Sequence, residues 1–169
     1  KIFQNILNEA KFPKNLLTKI IIGNHDLREN FKNNFPDIKT DKNGFIQYSE
    51  TFNDKTFIFL DTNQFNTDSG YLCKDRQEWL IGELEKKIKN KIYIFMHHNP
   101  LSLADDRSDK IGLVQKDDFK KILSKYKDII KHIFFGHQHI TTSGQYLDIT
   151  FSSPISTWSP LVSNFSSKY

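Results

Sequence analysis

Three short apolar runs that each end directly in a histidine-containing motif constrain this chain more than any other feature. The runs are 19–22, 91–96 and 132–135, and the motifs that follow them are Gly-Asn-His-Asp at 23–26, His-His-Asn-Pro at 97–100 and Gly-His-Gln-His at 136–139. Short apolar runs bounded by turn formers are typical of buried strands. In α/β sheets, ligands bind in the crevice outside the carboxyl ends of the strands. The pattern therefore predicts three loops that bring several imidazoles and one amide to a common point.

The segments between these runs predict helices and hairpins. Apolar residues at a spacing near 3.6 predict helices over 2–10, 27–34, 75–89 and 115–130, whereas 105–109 reads as a polar loop. Trp79, Leu80, Leu84 and Ile88 are expected to form the buried face of the third helix. A hairpin is predicted where the runs 45–52 and 56–60 flank a turn at Asn53-Asp54, and 145–151 reads as terminal strands.

Strands that alternate with helices, with hairpins between them, predict a layered α/β fold with a mixed sheet. The chain has 169 residues and shows no internal repeat or linker, so we expect one domain over 1–169. It opens with Lys1 inside an amphipathic segment. We therefore expect that this domain is incomplete and that the chain starts inside the fold.

The composition narrows the class of protein. No apolar run approaches the length of about 20 residues that a membrane span needs, so no membrane is expected. The net charge of +4 and the pI of about 9.0 suggest nucleic-acid binding, but the excess is lysine scattered over predicted helix faces, and we do not expect such binding. Cys73 is the only cysteine, which excludes an internal disulfide and is compatible with a reducing compartment. We expect a cytoplasmic location.

Two of the motifs have plain structural readings when they are taken alone. The segment 23–26 reads equally well as a turn in which Asn24 and Asp26 satisfy backbone groups. At the second motif, one of His97 and His98 is compatible with a core position and the other with an exposed one. Strand parity does not decide which of the two belongs to a site.

The third motif favours a metal site by itself. His137 and His139 point to the same side if the segment is extended, because side chains alternate with a period of two. Two unpaired imidazoles on one side are unfavourable, so a metal site is the better explanation. His132, in contrast, is expected to be an ordinary strand-edge residue.

Taken together and in this order, the three motifs resemble those of the calcineurin-like metallophosphoesterases. The stretch Leu60-Asp61-Thr62, together with Gly70, Leu72, Gln77, Trp79, Leu80 and Leu84, is similar to the subgroup that contains the bacterial cyclic nucleotide phosphodiesterases. The segment 153–157 (Ser-Pro-Ile-Ser-Thr) is similar to that subgroup as well. The resemblance extends over about residues 20–160 and implies the layered metallophosphoesterase fold, in which helices enclose mixed sheets.

The resemblance also implies a role for each matching residue. Asn24, His97 and His137 would hold one metal, and His139 would bind a second. Family usage favours His97 over His98. His25 would stabilise the phosphate and protonate the leaving oxygen, and Asp26 would orient His25. Imidazole and carboxylate ligands suit Mn, Fe or Zn.

The implied reaction is the hydrolysis of a small-molecule phosphoester, such as a 3′,5′-cyclic nucleotide, by water that two metals activate. The family pattern begins with Asp-x-His and Gly-Asp-x-x-Asp, and neither motif occurs before Gly23. The resemblance therefore implies that the N-terminal strands are absent from these 169 residues, and with them the bridging carboxylate and two ligands of the other metal.

Two other functions stay open from the sequence. A truncated, non-catalytic relative would use the fold as a binding scaffold, and a nucleic-acid-binding protein would rest on the pI alone. The substrate, the metal and the oligomeric state have no readable signature.

Overall fold

The computed structural model describes residues 18–157 together with residues 5, 6, 9 and 10. The predicted helix over 2–10 lies largely outside the described residues, and residues 158–169 lie wholly outside them. No helix among the described residues has the length and the hydropathy that crossing a membrane requires.

The centre of the fold is a six-stranded mixed sheet. Its strands are β1 (Tyr48–Phe52), β2 (Lys55–Phe59), β3 (Lys91–Phe95), β4 (Ile130–Phe134), β5 (Thr142–Tyr146) and β6 (Ile149–Ser153). They lie in the order β1-β2-β3-β4-β6-β5. Strands β2, β3, β4 and β6 are parallel, and the antiparallel strands β1 and β5 form the two edges. The carboxyl ends of β2, β3 and β4 therefore lie along one side of the sheet, which we call its carboxyl edge. The second and third histidine motifs begin there.

Within residues 18–157, four helices accompany the sheet: α1 (Arg28–Asn34), α2 (Lys74–Lys86), α3 (Asp106–Ile111) and α4 (Lys116–Tyr126). The main core lies between the sheet and the two longer helices, α2 and α4. Leu80 and Leu84 of α2 and Phe119 of α4 are fully buried against strand residues such as Ile58 and Ile94. The opposite face of the sheet carries stacked aromatic rings, since residues alternate in direction along each strand. These rings are Phe57, Phe59, Tyr93, Phe95 and Phe134.

Most predicted elements are found near their expected positions. The hairpin turns at Asn53, whose φ of 55° is left-handed. The mixed α/β fold is confirmed, and Phe119, Ile122, Leu123 and Tyr126 face the core as the helical spacing predicts.

Four expectations differ from the structure. Residues 19–22 form no strand; Ile22 is instead buried with Phe31 and Ile46 in a small second core. Two predicted helices extend too far: α2 ends at Lys86 and leaves Ile88 51% exposed, and α4 ends at Tyr126, so that Ile130 begins β4.

The third difference is the segment 105–109, which is not a loop throughout. Helix α3 begins at Asp106, because the Asp105 side chain caps it by accepting the Ser108 N–H at 2.9 Å. The fourth concerns His132, which lies on the interior strand β4 between β3 and β6, not at a sheet edge. Its ring nitrogens lie 2.8 Å from Ser152 Oγ and 2.7 Å from Thr150 Oγ1.

Candidate metal centre

The three motif loops converge at the carboxyl edge of the sheet. Asn24 Oδ1 lies 2.9 Å from His97 Nε2, although 73 residues separate them in the chain. The same His97 nitrogen lies 3.2 Å from His137 Nδ1. One amide oxygen and two imidazole nitrogens therefore share a single point, as the sequence predicts.

A third imidazole joins this group. The nitrogens of His97, His98 and His137 lie within 4.8 Å of one another, and these residues are the one group of three or more potential metal-binding side chains found among the described residues. His98 is fully buried, and its Nδ1 lies 2.8 Å from Thr62 Oγ1. The structure thus brings both members of the histidine pair to the centre: the rings of His97 and His98 lie 4.9 and 4.6 Å from the His137 ring, and His97 is the one with a nitrogen close to Asn24.

The spacing of the donor atoms fits a transition metal. Nitrogen and oxygen ligands at about 2.1 Å from a tetrahedral or octahedral metal are separated from each other by about 3.0–3.4 Å. The separations of 2.9 and 3.2 Å around His97 Nε2 are close to this range. The Nε2 atoms of His98 and His137 are buried as well, and the backbone carbonyls of Asp68 and Ile111 lie beside these two rings.

Burial also keeps these imidazoles in the form that binds metals. It lowers the pKa of His97 to about 3 and that of His98 to about 2, with further lowering from the neighbouring histidines. Burial lowers the pKa of His137 as well. Neutral imidazole offers a lone pair, whereas a protonated ring repels a cation.

His25 and His139 lie around this cluster. Their charges contribute to the lowered pKa of both His97 and His137, which places them within electrostatic range of the centre. His25 is exposed to solvent. The argument from an extended 137–139 segment is wrong, because His137 and His139 have φ angles of 73° and 61° and the loop is not extended.

Asp26 braces the loop that carries Asn24. Its Oδ2 accepts the backbone N–H of Gly23 at 2.9 Å, and its own N–H donates to the Gly23 carbonyl at 3.2 Å. This is the turn that the sequence allows as an alternative reading of the motif. The role of Asp26 in orienting His25 stays a prediction.

Sequence reasoning missed the loop after β2 as part of the site. The Asn63 side chain donates to the carbonyl oxygens of Gly23 at 2.6 Å and Asp26 at 3.0 Å, and so ties both ends of the first motif to this loop. The sequence indicated this loop in part, since Asp61 and Thr62 belong to the stretch that resembles the phosphodiesterase subgroup. The resemblance implied no role for either residue.

Asp61 fixes Asn63 in turn. Its fully buried carboxylate accepts the Asn63 N–H at 3.0 Å, the Ile46 N–H at 3.0 Å and two bonds from the Arg28 guanidinium at 2.8 Å each. Arg76, which is 2% exposed, donates to the carbonyl oxygens of Asp61 and Asn63 at 2.9 Å each. A buried, charged network therefore holds the loop that holds the first motif.

Two glycines leave room for the side chains of the second motif. A Cβ at Gly70 would lie 2.5 Å from His98 Cγ, and a Cβ at Gly112 would lie 2.7 Å from Asn99 Nδ2. Gly70 and Gly112 are also joined by a backbone hydrogen bond of 3.1 Å. Only glycine allows this close approach at either position.

Two curated proteins illustrate which sequences this chain is similar to. The chain is 31% identical over 137 residues to a probable cyclic nucleotide phosphodiesterase of Rhodopseudomonas palustris, a match that covers 79% of this chain and 50% of that protein. It is 24% identical over 157 residues to a glycerophosphodiester phosphodiesterase of Enterobacter lignolyticus, covering 90% of this chain and 54% of that protein. The chain thus spans about half the length of these relatives.

The fold comparison and the family comparison complete the assignment. The crystal structure of a dimetal phosphatase from Danio rerio superposes with a TM-score of 0.60 at 12% identity, covering 79% of this chain and 59% of that one. This likeness shows the fold. The family model for calcineurin-like phosphoesterases matches residues 3–141. Together with the ordered motifs and the centre that they form, this match shows that the chain belongs to the calcineurin-like phosphoesterase family.

Proposed function

We propose that the protein is a metal-dependent phosphoesterase that hydrolyses a phosphodiester, with a 3′,5′-cyclic nucleotide as the first substrate class to test. The observation that carries the proposal is the meeting of Asn24 Oδ1, His97 Nε2 and His137 Nδ1 at separations that suit metal ligands. The names of several relatives, which are probable cyclic nucleotide phosphodiesterases, support the substrate class. Relatives named as glycerophosphodiester phosphodiesterases keep other phosphodiesters in the test.

Asn24, His97 and His137 would hold one metal, and His139 would contribute to a second. Bound Mn, Fe or Zn ions would neutralise charge on the phosphoryl group and make water a nucleophile at neutral pH. The neutral state of the buried imidazoles prepares them for this role. His25, exposed at the rim of the centre, would donate a proton to the leaving oxygen, a contribution of about 10²–10⁴-fold in rate.

Hydrolysis by the full gene product tests the proposal. Bis-p-nitrophenyl phosphate, cyclic AMP and glycerophosphodiesters would be supplied with Mn²⁺. We expect turnover that a chelator abolishes and that the His97→Ala variant loses. His132→Ala is the matched control, since His132 bonds to strand side chains away from the cluster and its variant should retain activity. No turnover of any phosphoester, combined with metal binding that His97→Ala does not change, would refute the proposal.

A non-catalytic scaffold is the second candidate. It is favoured by one observation: within the described residues, the metal cluster consists of histidines and contains no carboxylate. A full gene product that folds, binds a partner and lacks hydrolysis with every metal tested would support this candidate instead.

Ion pairs on the lysine-rich helix faces support our expectation that nucleic acid is not the partner. Lys86, Lys121 and Lys125 pair with neighbouring acidic side chains, so part of the positive charge is already compensated. A cytoplasmic location likewise stays a prediction.

A further inference from the structure

We propose that Asp68 is a positioning residue of the metal centre, which holds the Asn24 amide so that its oxygen faces His97 and His137. The proposal rests on the proposed function, because it takes Asn24 as a metal ligand. Asp68 lies outside all three histidine motifs.

The Asn24 amide is held at both ends. Its Nδ2 donates to Asp68 Oδ1 at 3.0 Å, and its Oδ1 lies 2.9 Å from His97 Nε2. A side-chain amide has one donor end and one acceptor end, whereas an ionised carboxylate only accepts. Asp68 therefore selects the amide nitrogen, and the oxygen is left facing the histidines. The flipped amide would set its oxygen against a carboxylate oxygen and turn two N–H groups toward the site where a cation would bind.

The loop that carries Asp68 is anchored on both sides, so the carboxylate has a defined position although the residue is exposed. The Tyr71 N–H donates to the Thr62 carbonyl at 2.9 Å and closes the loop at its base. The Gly70 N–H donates to the Gly112 carbonyl at 3.1 Å. The neighbouring Ser69 hydroxyl donates to the Lys110 carbonyl at 3.2 Å, which ties the loop to α3.

The charge of Asp68 also reaches the centre. It opposes the effect of burial on the pKa of His137, and the 3.0 Å hydrogen bond from Asn24 places the carboxylate beside the first motif. Partners that orient a metal ligand through a hydrogen bond typically change metal affinity by about 10–100-fold when they are removed. An effect of this size is expected for Asp68.

The distinguishing variant is Asp68→Asn. Asparagine keeps the shape of the side chain but adds a donor, so the Asn24 amide can turn either way. We expect Mn²⁺ binding to the full gene product, followed by the electron paramagnetic resonance of free Mn²⁺, to weaken by about 10-fold or more. Asp68→Glu keeps an acceptor-only carboxylate and should restore most of the affinity. Asp128→Asn is the matched control, because Asp128 is exposed and precedes the opposite end of β4.

Two further measurements separate positioning from a structural role and from failure of the proposed function. In an Asn24→Ala background, Asp68→Asn should change Mn²⁺ affinity less than in the wild type, because only the direct effect of the charge remains once Asn24 is gone; an equal change in both backgrounds would contradict the positioning role. The thermal midpoint of the metal-free protein should not change, because Asp68 is exposed.

The outcomes are as follows. Equal Mn²⁺ affinity in the wild type and Asn24→Ala would refute the metal-ligand role on which the proposed function rests. Weak binding in Asn24→Ala with unchanged binding in Asp68→Asn would overturn only the positioning role of Asp68. A loss of metal-free stability in Asp68→Asn that matches its loss of affinity would overturn it as well.

Discussion

Replacing Asp61 with asparagine should destabilise the whole domain, although the change removes only one charge. The Asp61 carboxylate is fully buried and accepts five N–H groups, from Arg28, Arg76, Ile46 and Asn63. Arg76 is 2% exposed and has no access to water that could replace its partner. Asparagine would leave the guanidinium charge of Arg76 without its counter-ion and would turn a donor toward other donors.

The expected magnitude follows from this burial. Removing one partner of a buried ion pair costs about 3–5 kcal/mol, because the remaining charge is left unpaired in the interior. Asparagine retains one acceptor oxygen, so we expect the lower end, about 3 kcal/mol. For a domain of this size, with a urea m-value of about 2 kcal/mol/M, the unfolding midpoint should fall by about 1.5 M.

Urea unfolding followed by circular dichroism measures this shift. Asp54→Asn is the matched control. Asp54 forms an ion pair with Lys91 at 2.8 Å, the distance of the Arg28–Asp61 pair, but both of its side chains are more than half exposed. Exposed pairs contribute little, so the control midpoint should stay within the scatter of the assay. A fall of less than 0.5 M (about 1 kcal/mol) in Asp61→Asn, or equal falls in both variants, would refute the argument that burial makes this network important.

The remaining predictions concern packing and pH. Gly70→Ala should displace His98 and lower both stability and metal binding, because the new Cβ would lie 2.5 Å from the His98 ring. The control is Gly82→Ala on α2, where the new Cβ meets nothing within 4 Å and should stabilise the protein by about 0.5–1 kcal/mol. Thermal unfolding compares the two variants, and equal effects would contradict the predicted clash. Burial, with help from Glu50, raises the pKa of Tyr48 to about 12, so the folded state retains a proton that the unfolded state loses above about pH 10. Stability should therefore be lost as pH rises from about 10 to 12, by at most about 1.4 kcal/mol per pH unit because one proton is involved, and Tyr48→Phe should lack this component. Urea unfolding of the wild type and of Tyr48→Phe at several pH values in that range gives the free energy of unfolding as a function of pH. The same pH dependence in both proteins would contradict the prediction.

The sequence predicted the parts of the site that short patterns encode. Each histidine motif follows an apolar run, and two of these runs are parallel strands, so His97 and His137 had to meet at one sheet edge. The contact of His97 with Asn24 could be inferred only through the family resemblance, because residues 19–22 form no strand to place Asn24. The choice of His97 over His98 likewise rests on family usage and stays a prediction, since both rings lie in the cluster.

Other parts of the site depend on tertiary contacts that no local pattern contains. Asn63 meets Gly23 across 40 positions and Asp68 meets Asn24 across 44, and a polar loop sequence does not indicate such partners. The left-handed backbone at His137 and His139 overrode the alternation argument, because that argument assumes an extended segment. Helix α2 ended earlier than its apolar spacing suggested, since periodicity continues in sequence whether or not the helix does.

The wide separation of the metal-binding side chains along the chain has a consequence for folding kinetics. Asn24, His97 and His137 meet across 73 and 40 residues, so the centre exists only after these long loops have closed. Contacts of this kind form late, because the entropy of loop closure must be overcome before they contribute. A metal that needs all three side chains would then bind the folded state alone and leave the early refolding rate unchanged. At a concentration of about 100 times its dissociation constant it would raise the free energy of unfolding by about 2.7 kcal/mol and slow unfolding, so that metal content would govern how long each molecule survives.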